Sequence, residues 1–113
     1  MIANTQQHKH VDGVLNIAKP TGATSMDVVR TIKKLTKQKK LGHGGTLDPL
    51  ATGVLPIFLG KATRLMEYLV DSTKIYHTQI RLGMTTDTYD IDGTVTATRD
   101  FSSVTQEMVE KTL

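Results

Sequence analysis

The sequence has 113 residues, of which 38% are hydrophobic but only 4% aromatic, and its formal net charge is +3. This length fits one small domain or a part of a larger one. The absence of cysteine excludes disulfides and thiolate metal sites, and it is compatible with a reducing compartment. No apolar stretch approaches the roughly 18 residues of a membrane-spanning helix. We therefore expect a cytoplasmic protein that has no membrane partner.

Charge is distributed unevenly along the chain. Residues 1–64 contain ten Lys or Arg against three acidic residues, a net charge of +7, whereas residues 65–113 contain four against eight, a net charge of −4. A cluster of basic residues is typical of a surface that binds a polyanion, although a solvated helix face gives the same pattern. The cluster lies in one short segment: Arg30, Lys33, Lys34, Lys37, Lys39 and Lys40.

The N-terminal segment predicts a flexible tail followed by a strand. Residues 1–10 are polar and lack the apolar core of a signal peptide. Two histidines in this tail, His8 and His10, are too little to indicate a metal site. Residues 13–18 predict a short buried strand, and proline and glycine after it predict a turn over residues 19–22.

A helix is predicted after this turn. Thr24 or Ser25 caps it, and Gly42 is a plausible stop. The helix buries an apolar stripe with the spacing i, i+4, i+7, formed by Val28, Ile32 and Leu35.

The remainder of the sequence alternates between short predicted strands and helices. Residues 54–59 predict a strand, in which Pro56 indicates an edge position or a bulge. Residues 61–70 predict a helix. Residues 74–82 alternate as a strand does, residues 84–93 form a polar loop, and residues 94–98 are β-prone. Ser103 caps a last helix, with Gln106 completing a capping box, and this helix reaches Leu113 without a C-terminal cap. The order of elements indicates an α+β fold whose sheet is incomplete in this chain.

A loop rich in glycine and threonine, residues 42–53, surrounds a single carboxylate, Asp48. Pro49 lacks an N–H group and disfavours the α region for the preceding residue, so a rigid turn presents Asp48 outward. Neighbouring backbone N–H groups and threonine hydroxyls would keep the carboxylate ionised. The alternative is an Asp-Pro turn in which the carboxylate bonds only its own backbone.

A second acidic segment suggests a different chemistry. Residues 90–94 have the sequence Asp-Ile-Asp-Gly-Thr, which looks like the nucleophile loop of haloacid-dehalogenase-type phosphatases. That loop follows a buried apolar strand and requires Mg²⁺, whereas polar residues 85–89 precede it here. The phosphatase therefore remains a remote alternative.

Three segments in colinear order resemble a known family. Lys19-Pro20-x-Gly22-x-Thr24-Ser25 is similar to the first motif of the TruB-type pseudouridine synthases, which modify the tRNA T-loop. Residues 42–56, GHGGTLDPLATGVLP, resemble their catalytic motif. Lys74-x-Tyr76 and the segment Leu82-Gly83-x-x-Thr86-x-Thr88-x-Asp90-x-x-Gly93 resemble the third. The guide-RNA-dependent dyskerin group shares much of this pattern, but Gly44-Gly45 and Leu50-Ala51 are more similar to the bacterial stand-alone enzymes.

This resemblance implies a fold, an activity and a set of site residues. The fold is a mixed or antiparallel sheet with flanking helices, and residues 11–113 are the N-terminal part of the catalytic domain, without its C-terminal half and C-terminal RNA-binding domain. The activity is isomerisation of a flipped-out T-loop uridine to pseudouridine, with tRNA as partner and without cofactor or metal. Asp48 is implied as the catalytic residue. The residues implied in substrate or RNA binding are His43, which contacts the T-loop, Tyr76, which stacks on the flipped base, and also Lys19, Thr46, Asp90, Lys33, Lys34 and Lys37.

The resemblance also leaves two alternatives open. Lys19 and Pro20 match a motif that supports the active-site loop and need not touch RNA. The family's aspartate pairs with a basic residue from the second half of the domain, which the sequence lacks. The alternative function is therefore that of an RNA-binding fragment without turnover, with uncovered strand edges that favour self-association.

Overall fold

The computed structural model describes residues 10–113, apart from the side chain of Val70. The expected tail lies outside the described residues, except for His10, which is exposed. Two compact units make up the chain, one ending at Lys74 and the other spanning residues 75–113.

The first unit is an antiparallel sheet covered by a helix. Its elements in chain order are strand β1 (Gly13–Lys19), helix α1 (Ser25–Thr36), strand β2 (Leu41–His43), strand β3 (Gly53–Leu59), a 3₁₀ helix (Gly60–Leu65) and helix α2 (Met66–Val70). The strand order is β1-β3-β2, so β3 is central. β1 pairs with β3 along its whole length, from Gly13 opposite Leu59 to Lys19 opposite Gly53.

The core of this unit forms where α1 packs on the sheet. Val28 and Val29 of α1 contact Leu55 and Ile57 of β3, and all four side chains are buried. Further apolar side chains surround this cluster: Ile17, Ile32, Leu41 and Leu47. Leu47 thereby connects the loop that contains Asp48 to the core.

The second unit contains a β-hairpin and a helix. Strand β4 (Met84–Thr86) pairs antiparallel with strand β5 (Val95–Thr98), with an irregularity between Thr85 and Thr86. Helix α3 spans Gln106–Thr112. The chain is therefore α+β, as the sequence predicted, and its described sheets are antiparallel. Over residues 10–113, none of the helices is both long and apolar enough to cross a membrane.

Two predictions about α1 were wrong. The helix ends at Thr36 rather than at Gly42, because Lys37 adopts a left-handed conformation with φ of 55° and stops it. Gly42 instead lies in β2. Leu35 is 73% exposed, and Val29 takes its place in the buried stripe, which shifts the face that meets the sheet.

Pro56 lies in the central strand, contrary to the predicted edge position or bulge. Its carbonyl accepts a hydrogen bond from the Gly44 N–H at 2.9 Å, on the side of β3 where β2 lies. The N–H and C=O of one strand residue point to the same side, so the missing proline N–H also falls there. The β2 pairing ends at His43 opposite Ile57, so no bond of the β2–β3 ladder is lost at Pro56.

Three boundaries in the C-terminal half also differ from the predictions. Residues 74–82 are not a strand, because no strand among the described residues pairs with them. Part of the predicted 84–93 loop is β4. The last helix is capped by Thr105, whose side chain accepts from the Met108 N–H, and not by Ser103.

Candidate active site

Asp48 is exposed in the loop between β2 and β3. Its backbone carbonyl accepts a hydrogen bond from the Ala51 N–H at 3.0 Å, which closes a tight turn around Pro49. Within residues 10–113, no N–H group or hydroxyl donates to the Asp48 carboxylate, its own backbone included. The expected donors from the loop are therefore not in place, and the carboxylate is free to meet a ligand.

The backbone after Asp48 is bonded to the turn that follows β1. The Gly22 N–H donates to the Pro49 carbonyl at 2.7 Å, and the Thr21 hydroxyl donates to the Leu50 carbonyl at 3.0 Å. Gly22 has a φ of 82°, which a residue with a Cβ adopts at a cost, so glycine permits the approach of this N–H. The two segments are close in space although about thirty residues separate them in sequence.

The backbone before Asp48 is bonded to the first residue of α1. The buried Ser25 hydroxyl donates to the Leu47 carbonyl at 3.2 Å and accepts from the Leu47 N–H at 3.0 Å. The sequence left open whether Thr24 or Ser25 caps α1. Thr24 caps it, which leaves Ser25 to bind the loop.

Lys19 lies beneath the loop with only 1% of its surface exposed. Its ammonium group donates to three backbone carbonyls: Pro20 at 2.9 Å, Ala23 at 2.6 Å and Pro49 at 3.1 Å. An ammonium group has three donors, and all are used. Direct contact with RNA, one of the two roles expected of Lys19, is incompatible with this burial. The geometry fits the other role, which is support of the Asp48 loop.

The cap of α1 is a reciprocal pair. Thr24 accepts from the Asp27 N–H, and the Asp27 carboxylate accepts from both the N–H and the hydroxyl of Thr24, at 3.0 and 2.6 Å. These hydrogen bonds favour the charged form and lower the pKa of Asp27, with a smaller contribution from Arg30. The cap fixes the start of α1, and with it the position of Ser25.

His43 is half-buried at the end of β2, and its Nδ1 bonds the Gly45 carbonyl. A carbonyl only accepts, so Nδ1 must be the protonated nitrogen. In the neutral ring, Nε2 is then an acceptor. Thr46 is exposed two residues before Asp48, and its hydroxyl has no partner within the described part of the chain.

The basic residues on α1 and directly after it are exposed, as a surface that binds polyanions requires. Lys33, Lys34 and Lys37 form no ion pair with any acidic residue between positions 10 and 113. Arg30 differs from them, because it is bonded to Asp27 at 2.8 Å.

Tyr76 and Asp90 belong to the second unit. Tyr76 is 61% exposed in a segment without regular secondary structure, so its ring is accessible. Asp90 organises the hairpin loop: its N–H bonds Thr88, its carbonyl accepts from Thr86 and Gly93, and its Oδ1 accepts from the Ile91 N–H at 2.7 Å.

The hairpin argues against the phosphatase alternative. Residues 90–94 lie in the turn between β4 and β5, where the Asp87 carboxylate accepts from the Thr94 N–H. β4 is a short and mostly exposed strand rather than a buried one. The Asp90 carboxylate is directed to its own backbone. A phosphatase nucleophile would instead follow a buried strand, and its carboxylate would not be bonded to the backbone of its own loop.

The fold and the site together define an α+β protein with an exposed carboxylate on a loop that is tied to the core from both sides. The description "TruB family pseudouridylate synthase (N terminal domain)" belongs to a family model that matches residues 33–113. The chain therefore belongs to the TruB family of pseudouridylate synthases.

Individual relatives agree with this assignment. The tRNA pseudouridine synthase B of Dehalococcoides mccartyi is 54% identical over 103 residues, which are 91% of this chain and 34% of the relative. That of Clostridium kluyveri is 50% identical over 103 residues, 91% of this chain and 36% of the relative. A chain in the solved structure of an H/ACA RNP bound to a substrate RNA containing 2'-deoxyuridine is 55% identical, with a TM-score of 0.48, over 50% of this chain and 18% of its own. The chain thus spans about a third of the length of these bacterial relatives.

Proposed function

We propose that the whole protein isomerises a uridine in the T-loop of tRNA to pseudouridine and that Asp48 is the catalytic residue. The observation behind this proposal is the exposed Asp48 carboxylate, without a bond to any of residues 10–113, on a loop fixed on both sides by Ser25, Gly22 and Lys19. A carboxylate that must act on a large substrate needs to be both accessible and immobile.

The reaction breaks the bond between N1 and C1′ and forms a bond between C5 and C1′, while the proton on C5 is lost and N1 gains one. Asp48 acts at the junction of ribose and base, as a nucleophile or as a base. Both carbons are inaccessible in a stacked uridine, so the nucleotide must be flipped out. The proposal needs neither a metal nor a cofactor, because atoms and electrons balance within the uridine.

The other proposed binding residues have separate tasks. The accessible ring of Tyr76 stacks on the flipped base, which contributes about 1–3 kcal/mol. His43 contacts the T-loop, with Thr46 and Asp90 as further candidates. Lys33, Lys34 and Lys37 bind phosphates, which positions the RNA without reading its sequence. Lys19 is excluded from this group by its burial.

The proposal extends to the organisation of the protein. Residues 11–113 are the N-terminal part of a catalytic domain, and a basic residue elsewhere in the whole protein pairs with Asp48. The protein acts in the cytoplasm, where tRNA is available. Until the domain is complete, uncovered apolar side chains such as Ile80, which is 66% exposed, favour self-association.

The substitution Asp48→Asn in the whole protein tests the catalytic assignment. The amide keeps the size of the side chain but loses the negative charge, so we expect no pseudouridine and unchanged binding of a T-loop stem-loop RNA. Mass spectrometry of the nucleosides measures the first, and fluorescence anisotropy the second. Asp71→Asn, at another exposed aspartate, is the matched control and should retain turnover. Turnover by Asp48→Asn close to that of the unchanged protein would refute the assignment.

A second candidate function is RNA binding without turnover. It is favoured by one specific observation, that the Asp48 carboxylate has no cationic partner between residues 10 and 113. RNA binding by the chain in the absence of any pseudouridine formation distinguishes it from the enzyme.

A further inference from the structure

Two glycines, one in β2 and one in the turn after it, present bare backbone to one face of the sheet. Gly42 lies opposite Phe58 of β3, and the Gly44 N–H donates to the Pro56 carbonyl at 2.9 Å. Side chains of alternate strand residues point to the same face, so positions 42 and 44 share the face of the Phe58 ring. Neither glycine carries a Cβ on that face.

Three apolar side chains occupy the space that a Cβ at either glycine would need. A Cβ at Gly42 would lie 2.5 Å from the Met66 sulfur. A Cβ at Gly44 would lie 2.8 Å from the Phe58 ring and 3.3 Å from Leu69 Cδ1. Carbon atoms in ordinary contact are about 3.5–4.0 Å apart. Met66 and Leu69 of α2, together with Phe58, therefore form an apolar wall directly against the backbone of these glycines.

His43 lies between the two glycines and is bonded to the same turn. Its Nδ1–H donates to the Gly45 carbonyl, across Gly44. Glycine has wide backbone freedom, so the peptide between Gly44 and Gly45 has a fixed position only where something holds it. Within the described part of the chain, a Cβ at Gly45 would meet nothing within 4 Å. The apolar wall and the hydrogen bond to Pro56 are therefore what hold the turn.

The Gly45 carbonyl sets which nitrogen of His43 carries the proton. The hydrogen bond of one ring nitrogen decides the tautomer, so the neutral ring has its proton on Nδ1 and a lone pair on Nε2. If the turn moves away, the ring loses this acceptor and both tautomers become available. A ring in the other tautomer presents a donor instead of an acceptor at Nε2.

We propose that the apolar wall of Met66, Phe58 and Leu69 positions His43, by holding the turn so that Nε2 meets the RNA as an acceptor. The inference rests on the proposed function, because it takes the T-loop of tRNA as the ligand of His43. The three residues of the wall are positioning residues. They act through the backbone on either side of His43 and not by contact with the reacting uridine.

Nitrogen NMR of the whole protein, labelled in histidine, measures the tautomer directly, and His43→Gln identifies the His43 signals by their loss. At alkaline pH, where imidazole is neutral, we expect Nδ1 to carry the proton in the unchanged protein. Met66→Ala removes the thioether from the wall and keeps a residue that favours a helix. In this variant we expect the signals of a mixture of both tautomers, and a kcat/KM that is lower by about tenfold.

Two further variants distinguish positioning from a general loss of stability. Met66→Leu keeps an apolar side chain against Gly42, so it should retain the Nδ1–H signal and a kcat/KM within about twofold of the unchanged protein. Tyr68→Ala is the matched control, because Tyr68 is an exposed residue of the same short helix and is not part of the wall. It should leave the His43 signals unchanged even where it lowers the Tm.

The adjacent glycines allow a second test that adds an atom instead of removing atoms. Gly44→Ala places a Cβ 2.8 Å from the Phe58 ring and should produce the mixture of tautomers. Gly45→Ala meets no described atom within 4 Å and should keep the Nδ1–H signal. Phe58→Leu removes ring atoms that the new Cβ would meet, so its addition to Gly44→Ala should restore at least part of that signal.

Either of two results overturns the proposal. One is that the His43 signals are unchanged in both Met66→Ala and Gly44→Ala. The other is a loss of kcat/KM in these variants without a change of tautomer. Absence of pseudouridine from every RNA with the unchanged protein overturns the proposed function instead. The NMR signals then still decide whether the wall holds His43, because they are recorded without RNA.

Discussion

Ser25 shows how a single hydroxyl can organise a loop that is distant in sequence. It serves both the N–H and the C=O of Leu47, the residue immediately before Asp48. The change Ser25→Ala leaves both backbone groups of the partly buried Leu47 without this partner, which costs at most about 1–3 kcal/mol for each unsatisfied group. In the whole protein we expect a lower free energy of unfolding and a lower kcat, with RNA binding little changed. Denaturant unfolding, single-turnover kinetics and anisotropy measure the three quantities.

The control for Ser25→Ala is Ser72→Ala, because Ser72 is exposed and its backbone carbonyl, which accepts from the Lys74 ammonium group, is kept in the variant. Restoration of the hydroxyl by Ser25→Thr should recover part of the kcat if the β-branched side chain fits. A loss of RNA affinity in Ser25→Ala that equals the loss of kcat would mean that Ser25 acts on binding, not on the position of Asp48.

At the residue scale, the sequence could predict which groups matter but not which of them meet. An aspartate before proline in a glycine-rich loop indicates an exposed carboxylate, and Asp48 is exposed. The bonds that fix this loop join residues 22 to 30 positions apart, such as Leu47 with Ser25 and Pro49 with Lys19. Nothing local in the sequence encodes such pairs. The role of Ser25 was missed for this reason, although its place in the first motif was a signal.

At the scale of elements, the cap of α1 makes stability depend on pH. The hydrogen bonds from Thr24 lower the pKa of Asp27 below its usual value of 3.8. A lowered pKa stabilises the folded state fully above the unfolded pKa, and the stabilisation is lost as pH falls through the folded pKa. We expect the midpoint of urea unfolding to fall below about pH 4, and Asp27→Asn to weaken this dependence.

Asp100 contributes in the same direction, because the hydroxyl and N–H of Ser102 lower its pKa. In the double variant Asp27→Asn with Asp100→Asn, the midpoint of urea unfolding should therefore fall less at acid pH than in Asp27→Asn alone. Asp71→Asn is the control and should leave this pH dependence unchanged. If Asp27→Asn unfolds with the same pH dependence as the unchanged protein, the cap does not affect acid stability.

The exposed lysines on α1 and in the segment after it lead to a prediction about the salt dependence of RNA binding. Replacing Lys33, Lys34, Lys37 and Lys40 with glutamine should weaken binding of T-loop RNA and flatten its dependence on salt. Each lost phosphate contact lowers the slope of log affinity against log salt concentration by about 0.7–0.9. Titrations at several salt concentrations measure it. Lys111→Gln, at an exposed lysine that pairs with Glu107, is the control. An unchanged slope would show that the lysines only solvate the helix.

Local signals predicted the start of α1, since Thr24 is one of its two predicted caps. The predicted stop at Gly42 and the predicted cap at Ser103 were wrong, and a strand needs a partner that the local sequence does not specify. Residues 74–82 alternate as a strand does, yet no described strand pairs with them. Pro56 also shows that strand positions depend on the pairing partner. The proline indicated an edge strand, but β2 ends at His43, and this makes a proline acceptable in the central strand.

At the scale of the whole molecule, the second unit exposes several large apolar side chains. In the second unit several large side chains are more than half exposed: Ile75, Ile80, Ile91, Phe101 and Met108. The chain also spans only 34% of the Dehalococcoides relative. Exposed apolar side chains in such numbers mark an interaction surface of the second unit.

The last prediction rests on the proposed function: the 113-residue chain alone should form no pseudouridine, even with an excess of T-loop RNA. Asp48 has no cationic partner within residues 10–113, and Tyr76 lies in a segment without regular secondary structure that no described strand pairs with. Without a cationic partner, the Asp48 carboxylate is not held at the position and charge that the reaction needs. Without a neighbouring strand, the Tyr76 ring is not held in the orientation that stacking needs. The measurement is mass spectrometry of nucleosides after incubation with a stem-loop RNA.

The control for this experiment is addition in trans of the segment that follows the matched region in the Dehalococcoides relative, whose similarity to this chain makes docking plausible. Activity that appears only with the added segment confirms that the chain supplies Asp48 and the added segment supplies its partner. Asp48→Asn in the chain should then abolish the restored activity. Robust turnover by the chain alone would contradict the prediction, because every group that the reaction needs would then lie within these 113 residues.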